Sequence, residues 1–167
     1  PLTTLDVARE EKSHRFPVFL PGGKRILFLV QTAEGGARND ASAIEVLELA
    51  SGERTRLIAA NASPLYSSAG QLLFWREGTL FAQRFDAAGP RLLGEPAAIA
   101  SPVAFTQNEQ VLASVSNEGT LLYRAGSRGS FSSLVWLDRA GLGVKPLREK
   151  ELFADFALSP DARRLAF

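Results

Sequence analysis

The sequence contains no cysteine, which excludes a disulfide framework, a thiolate nucleophile and a cysteine-held zinc. A chain without thiols is compatible with an oxidising compartment but does not demonstrate one. One histidine, His14, is too few for a histidine-based metal cluster within a single chain. No apolar run approaches the length of a membrane span, and no signal peptide opens the chain. An excess of one charge sign is missing too. Nineteen basic against 18 acidic residues leave a net charge of +1, and the basic residues are scattered. Nucleic-acid binders gather Lys and Arg on one face or stretch, so no nucleic-acid partner is expected.

What remains has the composition of an ordinary globular protein, 46% hydrophobic and 22% charged over 167 residues. The chain opens at Pro1 without a methionine and stops at Phe167 inside an apolar, strand-like run. It therefore reads as an excerpt of a longer protein, with any anchor or targeting signal outside it.

A short apolar segment, a tight turn and a second apolar segment recur four times, about every 45 residues. The first copy runs from Arg15 to Leu20, turns at Pro21-Gly22-Gly23-Lys24 and continues from Arg25 to Val30. The second joins Pro64–Ser67 to Gln71–Trp75 through Ser68-Ala69-Gly70, and the third joins Val111–Val115 to Thr120–Tyr123 through Ser116-Asn117-Glu118-Gly119. The fourth joins Phe153–Leu158 to Arg163–Phe167 through Ser159-Pro160-Asp161-Ala162. Gly supplies the positive φ a hairpin needs, and Pro fixes φ at the first central turn position. Further strands follow in each unit: Ile44–Leu49 and Arg54–Ile58, Thr79–Phe85, and Ser133–Asp138. Period-two alternation with β-branched and aromatic residues argues for strands over helices. Only Leu5–Lys12 could pass for a helical turn.

Four strands per repeat predict an all-β chain of β-propeller blades, four-stranded antiparallel sheets, about three and a half in number. The blades fall at about 14–58, 62–100, 103–147 and 153–167. The last is incomplete, to be completed by strands from elsewhere in a longer chain, by residues 1–6 with the strand Leu2-Thr3-Thr4-Leu5, or by another chain. The expected core is Phe19, Ile26, Phe28, Leu73, Phe74, Leu121, Leu122, Leu158 and Leu165, each worth roughly 1.5–3 kcal/mol when buried. A blade cannot cover both its faces alone, so neighbours must stack on it. Open blade edges predict association into a homo-oligomer.

Leu158-Ser159-Pro160-Asp161-Ala162-Arg163-Arg164-Leu165-Ala166-Phe167 resembles the strand–turn–strand signature of PD-type, WD-repeat-like propeller repeats, common in TolB-like proteins and in propellers attached to bacterial peptidases. Ala162 stands where that signature has Gly. A longer resemblance joins four segments: His14–Lys24, Leu72–Leu80, Ala82–Asp86 and Leu134–Gly141. Together they resemble the propeller region attached to bacterial, notably acidobacterial, serine/threonine protein kinases, with Gly22 in place of the usual Asp. The resemblance implies a sensor or protein-interaction module on the periplasmic or extracytoplasmic side of a membrane-anchored protein. Its partner would be a protein or a small-molecule ligand. The alternatives are an accessory, substrate-gating propeller of a serine peptidase or hydrolase, and a TolB-like periplasmic interaction protein.

No catalytic, cofactor-binding or metal-ligating residue is assigned. Gly141-Leu142-Gly143 lacks the third glycine of a phosphate loop, and His14-Arg15-Phe16 lacks the Asp of a kinase catalytic loop. Gly126-Ser127-Arg128-Gly129-Ser130 has Arg where a nucleophile elbow has Ser. His14 is expected in a structural hydrogen bond. Glu10-Glu11, and Glu149 with Glu151, sit among lysines and arginines and read as solvated surface. Asp86 and Asp138 close strands, where Asp bonds local backbone N–H groups. Asn39-Asp40 lacks the ligand alternation of a calcium loop. The glycosylation-type triplet Asn61-Ala62-Ser63 is discounted because Pro64 follows. Trp75, Trp136, Tyr66 and Tyr123 are expected to pack, with an aromatic patch at the channel mouth as the alternative.

Overall fold

The computed structural model describes residues 1–32, 41–106, 108–126, 132–136, 145–151, 157–161 and 163–166, with the backbone alone for 132–136 and 145–151. Every element in it is a strand. β1 (Glu11–Phe19), β2 (Arg25–Thr32), β3 (Ala43–Glu48) and β4 (Arg54–Ala59) form one four-stranded antiparallel sheet in chain order. β5 (Leu65–Ser67), β6 (Gln71–Arg76), β7 (Thr79–Asp86) and β8 (Arg91–Ala100) form a second of the same design. Two antiparallel pairs follow, β9 (Ala113–Val115) with β10 (Leu121–Tyr123) and β11 (Ser132–Trp136) with β12 (Lys145–Glu151). β10 lies beside β11. A last short pair joins β13 (Ala157–Leu158) to β14 (Leu165–Ala166). These sheets are propeller blades, and the whole is a partial propeller.

The turns explain the strand order. Gly22 and Gly23 both take positive φ, +85° and +65°, and the Gly23 N–H donates to the Leu20 carbonyl at 3.0 Å. A residue with a Cβ is strained at such angles. Glycine at position 22 therefore suits the conformation observed. Between β6 and β7 the turn is reduced to Glu77-Gly78, both at positive φ, with Arg76 paired directly to Thr79. Two consecutive positive-φ residues match the right-handed twist of the flanking strands. The outer strand β8 is interrupted: Gly94 has φ +67°, Pro96 offers no N–H, and the register with β7 shifts twice.

Side chains alternate between the two faces of each sheet, and the faces meet in pairs. Leu27, Ile44 and Val46 of the first sheet pack on Leu72, Phe74 and Phe85 of the second. The opposite face of the second sheet, with Leu73, Trp75 and Leu80, packs on Val103, Val111 and Ala113. Ala104, Leu112 and Leu122 then meet Leu165 of the last hairpin. A fourth cluster, Phe28, Val30 and Leu47 with Leu49, comes from the first sheet region alone. No other sheet covers that outward face among the described residues.

Of the expected core, Ile26, Phe28, Leu73, Phe74, Leu122 and Leu158 are buried, while Leu121 and Leu165 are half-buried against the same clusters. Phe19 corrects the expectation, being 64% exposed. It pairs with Ile26 and so shares the outward face of the first sheet, which no other sheet covers among the described residues. Leu5–Lys12 is not helical. Residues 7–10 form a turn stitched by the Asp6 carboxylate, which accepts from the N–H groups of Ala8 and Arg9, and β1 starts at Glu11. Leu2–Leu5 forms no strand and is held on the first sheet rather than the last hairpin. Thr3 bonds His14 and the Thr4 carbonyl accepts from Arg54.

Candidate functional site

β9 lies beside both β5 and β13, so the first strands of successive units collect on the inner side of the stack. At one end of that side a loop tip reaches back from the third unit to the first. Phe105 and Val111 pair across the tip, and the Thr106 N–H donates to the Gln110 carbonyl at 2.9 Å. The tip is pinned to the second unit as well: the Ser63 N–H donates to the Glu109 carbonyl and the Ser63 hydroxyl accepts from the Val111 N–H.

The tip carries Glu109 into a polar cluster built by β1 and β2. Gln31 Nε2 donates to Glu109 Oε1 at 2.6 Å, and the Ser13 hydroxyl donates to Gln31 Oε1 at 2.8 Å, fixing the amide's orientation. Glu109 Oε2 is buried and has no hydrogen bond among the described residues. The nearest cation is Arg15, 3.9 Å away, whose Nη1 donates at 3.4 Å to the Asn108 carbonyl. Glu109 also sits at φ +67°, a conformation costing a non-glycine residue on the order of 1–2 kcal/mol. Strain and an unmatched carboxylate oxygen thus coincide where three units meet. Chemically the cluster offers a half-buried acceptor with a loosely engaged guanidinium beside it. That pairing suits an incoming group with N–H or O–H donors flanked by a carbonyl or carboxylate.

A second charged group is fully engaged. Glu11 and Glu45 lie buried on the outward face of the first sheet. Arg54 bridges them, Nη2 to Glu11 Oε1 at 2.6 Å and Nε to Glu45 Oε2 at 2.9 Å, and lies over the Phe28 ring. Arg9 closes the set at 2.6 Å from Glu45 and 3.3 Å from Glu11. Burial alone would raise the Glu11 carboxyl. The hydrogen bonds from Arg54, the Asp6 N–H and His14 outweigh it and hold the pKa at about 2. Arg54 is raised correspondingly, chiefly by its bond to Glu11. The group ties residues 1–10 to the sheet, a structural role. The expectation of a solvated Glu10-Glu11 pair holds only for Glu10, because β1 begins at Glu11, whose side chain is buried against Arg54 and His14.

His14 has the hydrogen bonds expected of it, Nδ1 with Thr3 Oγ1 at 2.8 Å and Nε2 with Glu11 Oε2 at 2.9 Å, and stands edge-on to Phe28. Asp86 accepts from the N–H groups of Ala88 and Gly89, which lower its pKa with help from Arg91. Trp75 is buried, donates Nε1–H to the Val103 carbonyl at 2.8 Å and packs on Phe105. Tyr66 stands edge-on to Phe85, and Tyr123 packs on the cluster between the second and third units. In the triplet 61–63, Ala62 and Ser63 are buried. Asn39-Asp40, residues 127–130, Asp138, Gly141–Gly143 and the side chains of Trp136, Glu149 and Glu151 lie outside the described residues. Among the described residues no three His, Cys, Asp or Glu side chains are grouped to hold a metal ion, and no helix is long and apolar enough to cross a membrane. The Glu109 cluster is what sequence reasoning missed. Its members come from positions 13, 15, 31 and 109, and no local pattern joins them.

No protein-family model and no curated protein matches the chain. Solved structures do. TolB from Acinetobacter baumannii superposes with a TM-score of 0.58 at 18% identity, over 89% of this chain and 36% of that one. Hydrazine synthase from Kuenenia stuttgartiensis gives 0.56 at 12% identity, over 91% of this chain and 42% of that one. At such identities the likeness is one of fold. The chain spans well under half the length of either structure.

Proposed function

We propose that this chain is a non-catalytic binding module, the sensor or interaction portion of a bacterial receptor-like serine/threonine protein kinase. The propeller architecture supports a binding role, and the four sequence segments resembling kinase-attached propellers support the kinase context. The observation that carries the binding reading is Glu109, a strained residue whose second carboxylate oxygen is buried beside Arg15 and has no hydrogen bond among the described residues. Such a group gains most from a partner that brings donors to it. The partner is a protein segment or small ligand with N–H or O–H donors, seated where the first strands converge.

An array of short peptides, probed with the purified chain and with Glu109→Gln, tests the binding role. Peptides held by the parent chain and at least about tenfold more weakly by the variant, at equal melting temperature, support it. An array that does not separate the two proteins counts against it. The kinase context is tested by the complete open reading frame. A kinase domain with a membrane span upstream is the expected arrangement, and an α/β-hydrolase domain downstream replaces it with the peptidase-accessory reading.

A further inference from the structure

The boundary between the first and second sheets is apolar through most of its length, with Leu27, Ile44 and Val46 against Leu72, Phe74 and Phe85. At one end it changes character. Residues two apart on a strand share a face, so Arg25 follows Leu27, and Glu48 follows Val46, toward the second sheet. Arg25 pairs with Glu48 across β2 and β3, and Val46 pairs with Thr55 across β3 and β4. Here the boundary opens into a cleft of about 260 Å³ lined by Arg25, Val46, Glu48, Glu53, Thr55 and, from the turn after β7, Pro90. Packed boundaries leave few gaps larger than a water molecule. This one has the volume of about nine waters in the liquid. Both sheets have their four strands, so a further blade would stack beyond the pair and not between them.

Arg25 is held across the boundary: Nε donates to Glu48 Oε2 and Nη1 to the Ala87 carbonyl, each at 2.7 Å. Its Nη2 has no hydrogen bond among the described residues, and neither has the Glu53 carboxylate or the Thr55 hydroxyl. Because Arg25 and Glu48 neutralise each other, the free charge in the cleft is the negative charge of Glu53. We propose that this cleft binds a small hydroxylated primary amine of amino-sugar size. Its ammonium pairs with Glu53, its hydroxyl oxygens accept from Arg25 Nη2 and bond Thr55, and its carbon skeleton lies against Val46 and Pro90. An anion would meet the uncompensated Glu53 carboxylate, and an apolar ligand would leave Arg25 Nη2 unpaired. The inference does not depend on the Glu109 cluster, which shares no residue with the cleft.

Amide NMR of the purified chain, titrated with glucosamine, glucose and N-acetylglucosamine, tests it. Glucosamine should shift the amides of Arg25, Val46, Glu48, Glu53 and Thr55 to saturation, with a dissociation constant on the order of 1 mM. Glucose lacks the charge, and the nitrogen of N-acetylglucosamine is an uncharged amide. Each should bind at least about tenfold more weakly. Glu53→Gln, at an exposed position, should keep the folded spectrum and weaken glucosamine by about the same factor. Glu109→Gln should leave the titration unchanged, which separates this site from the one proposed above. Absence of saturable shifts in these amides overturns the proposal. So does glucosamine binding that survives Glu53→Gln, that either uncharged sugar matches, or that Glu109→Gln weakens as much.

Discussion

Glu11 keeps its charge in a place where a carboxylate without partners would be neutral, because Arg54, His14 and the Asp6 N–H surround it. Its folded pKa of about 2 lies below the 4.5 ordinary for a glutamate. The linked stabilisation, on the order of 3 kcal/mol, is therefore complete above about pH 4.5 and lost as pH falls toward 2. Glu11→Gln should flatten the acid limb of the stability curve between those values, as read from urea melts at successive pH. At pH 7 the same change leaves Arg54 and Arg9 short of a counter-charge and should cost about 3 kcal/mol. Little of this was visible in the sequence. Glu10 and Glu11 read alike there, and the partner that separates them lies 43 residues on. The Glu109 cluster was hidden for the same reason, since Gln31 bonds Glu109 across 78 residues and Arg15 bonds the neighbouring Asn108 carbonyl across 93.

The strands were far easier to read. β2, β3, β4, β6 and β7 fall within a residue or two of the expected limits, because period-two alternation and glycine turns are local signals. Which face of a strand meets a neighbour is not local, and Phe19 shows it: the residue is in its strand, on a face that no other sheet covers among the described residues. Phe74, 1% exposed between the first two sheets and stacked on Phe81, is the element-level test. Phe74→Ala should cost about 3–5 kcal/mol in chemical denaturation. The β6–β7 turn gives the opposite sign. Glu77 holds φ +49° before Gly78, and Glu77→Asn, a residue that accepts this conformation, should raise the melting midpoint by about 0.5 kcal/mol of added stability.

Across the whole molecule, stability is a chain of nearest-neighbour terms, each sheet leaning on the next. Damage should therefore stay near its origin. Leu165→Asp, which puts a charge against Ala104, Leu112 and Leu122, should speed amide hydrogen exchange in β9 and β10 and leave β2, β3, β6 and β7 unchanged. Equal acceleration everywhere would mean that the sheets unfold as one unit.

The interrupted outer strand of the second sheet bears on aggregation. β8 is ten residues long and lies at the sheet's rim, where an unbroken backbone would template a foreign strand. Gly94 bends it and Pro96 removes a donor, so hydrogen bonding cannot run on into a fibril from that side.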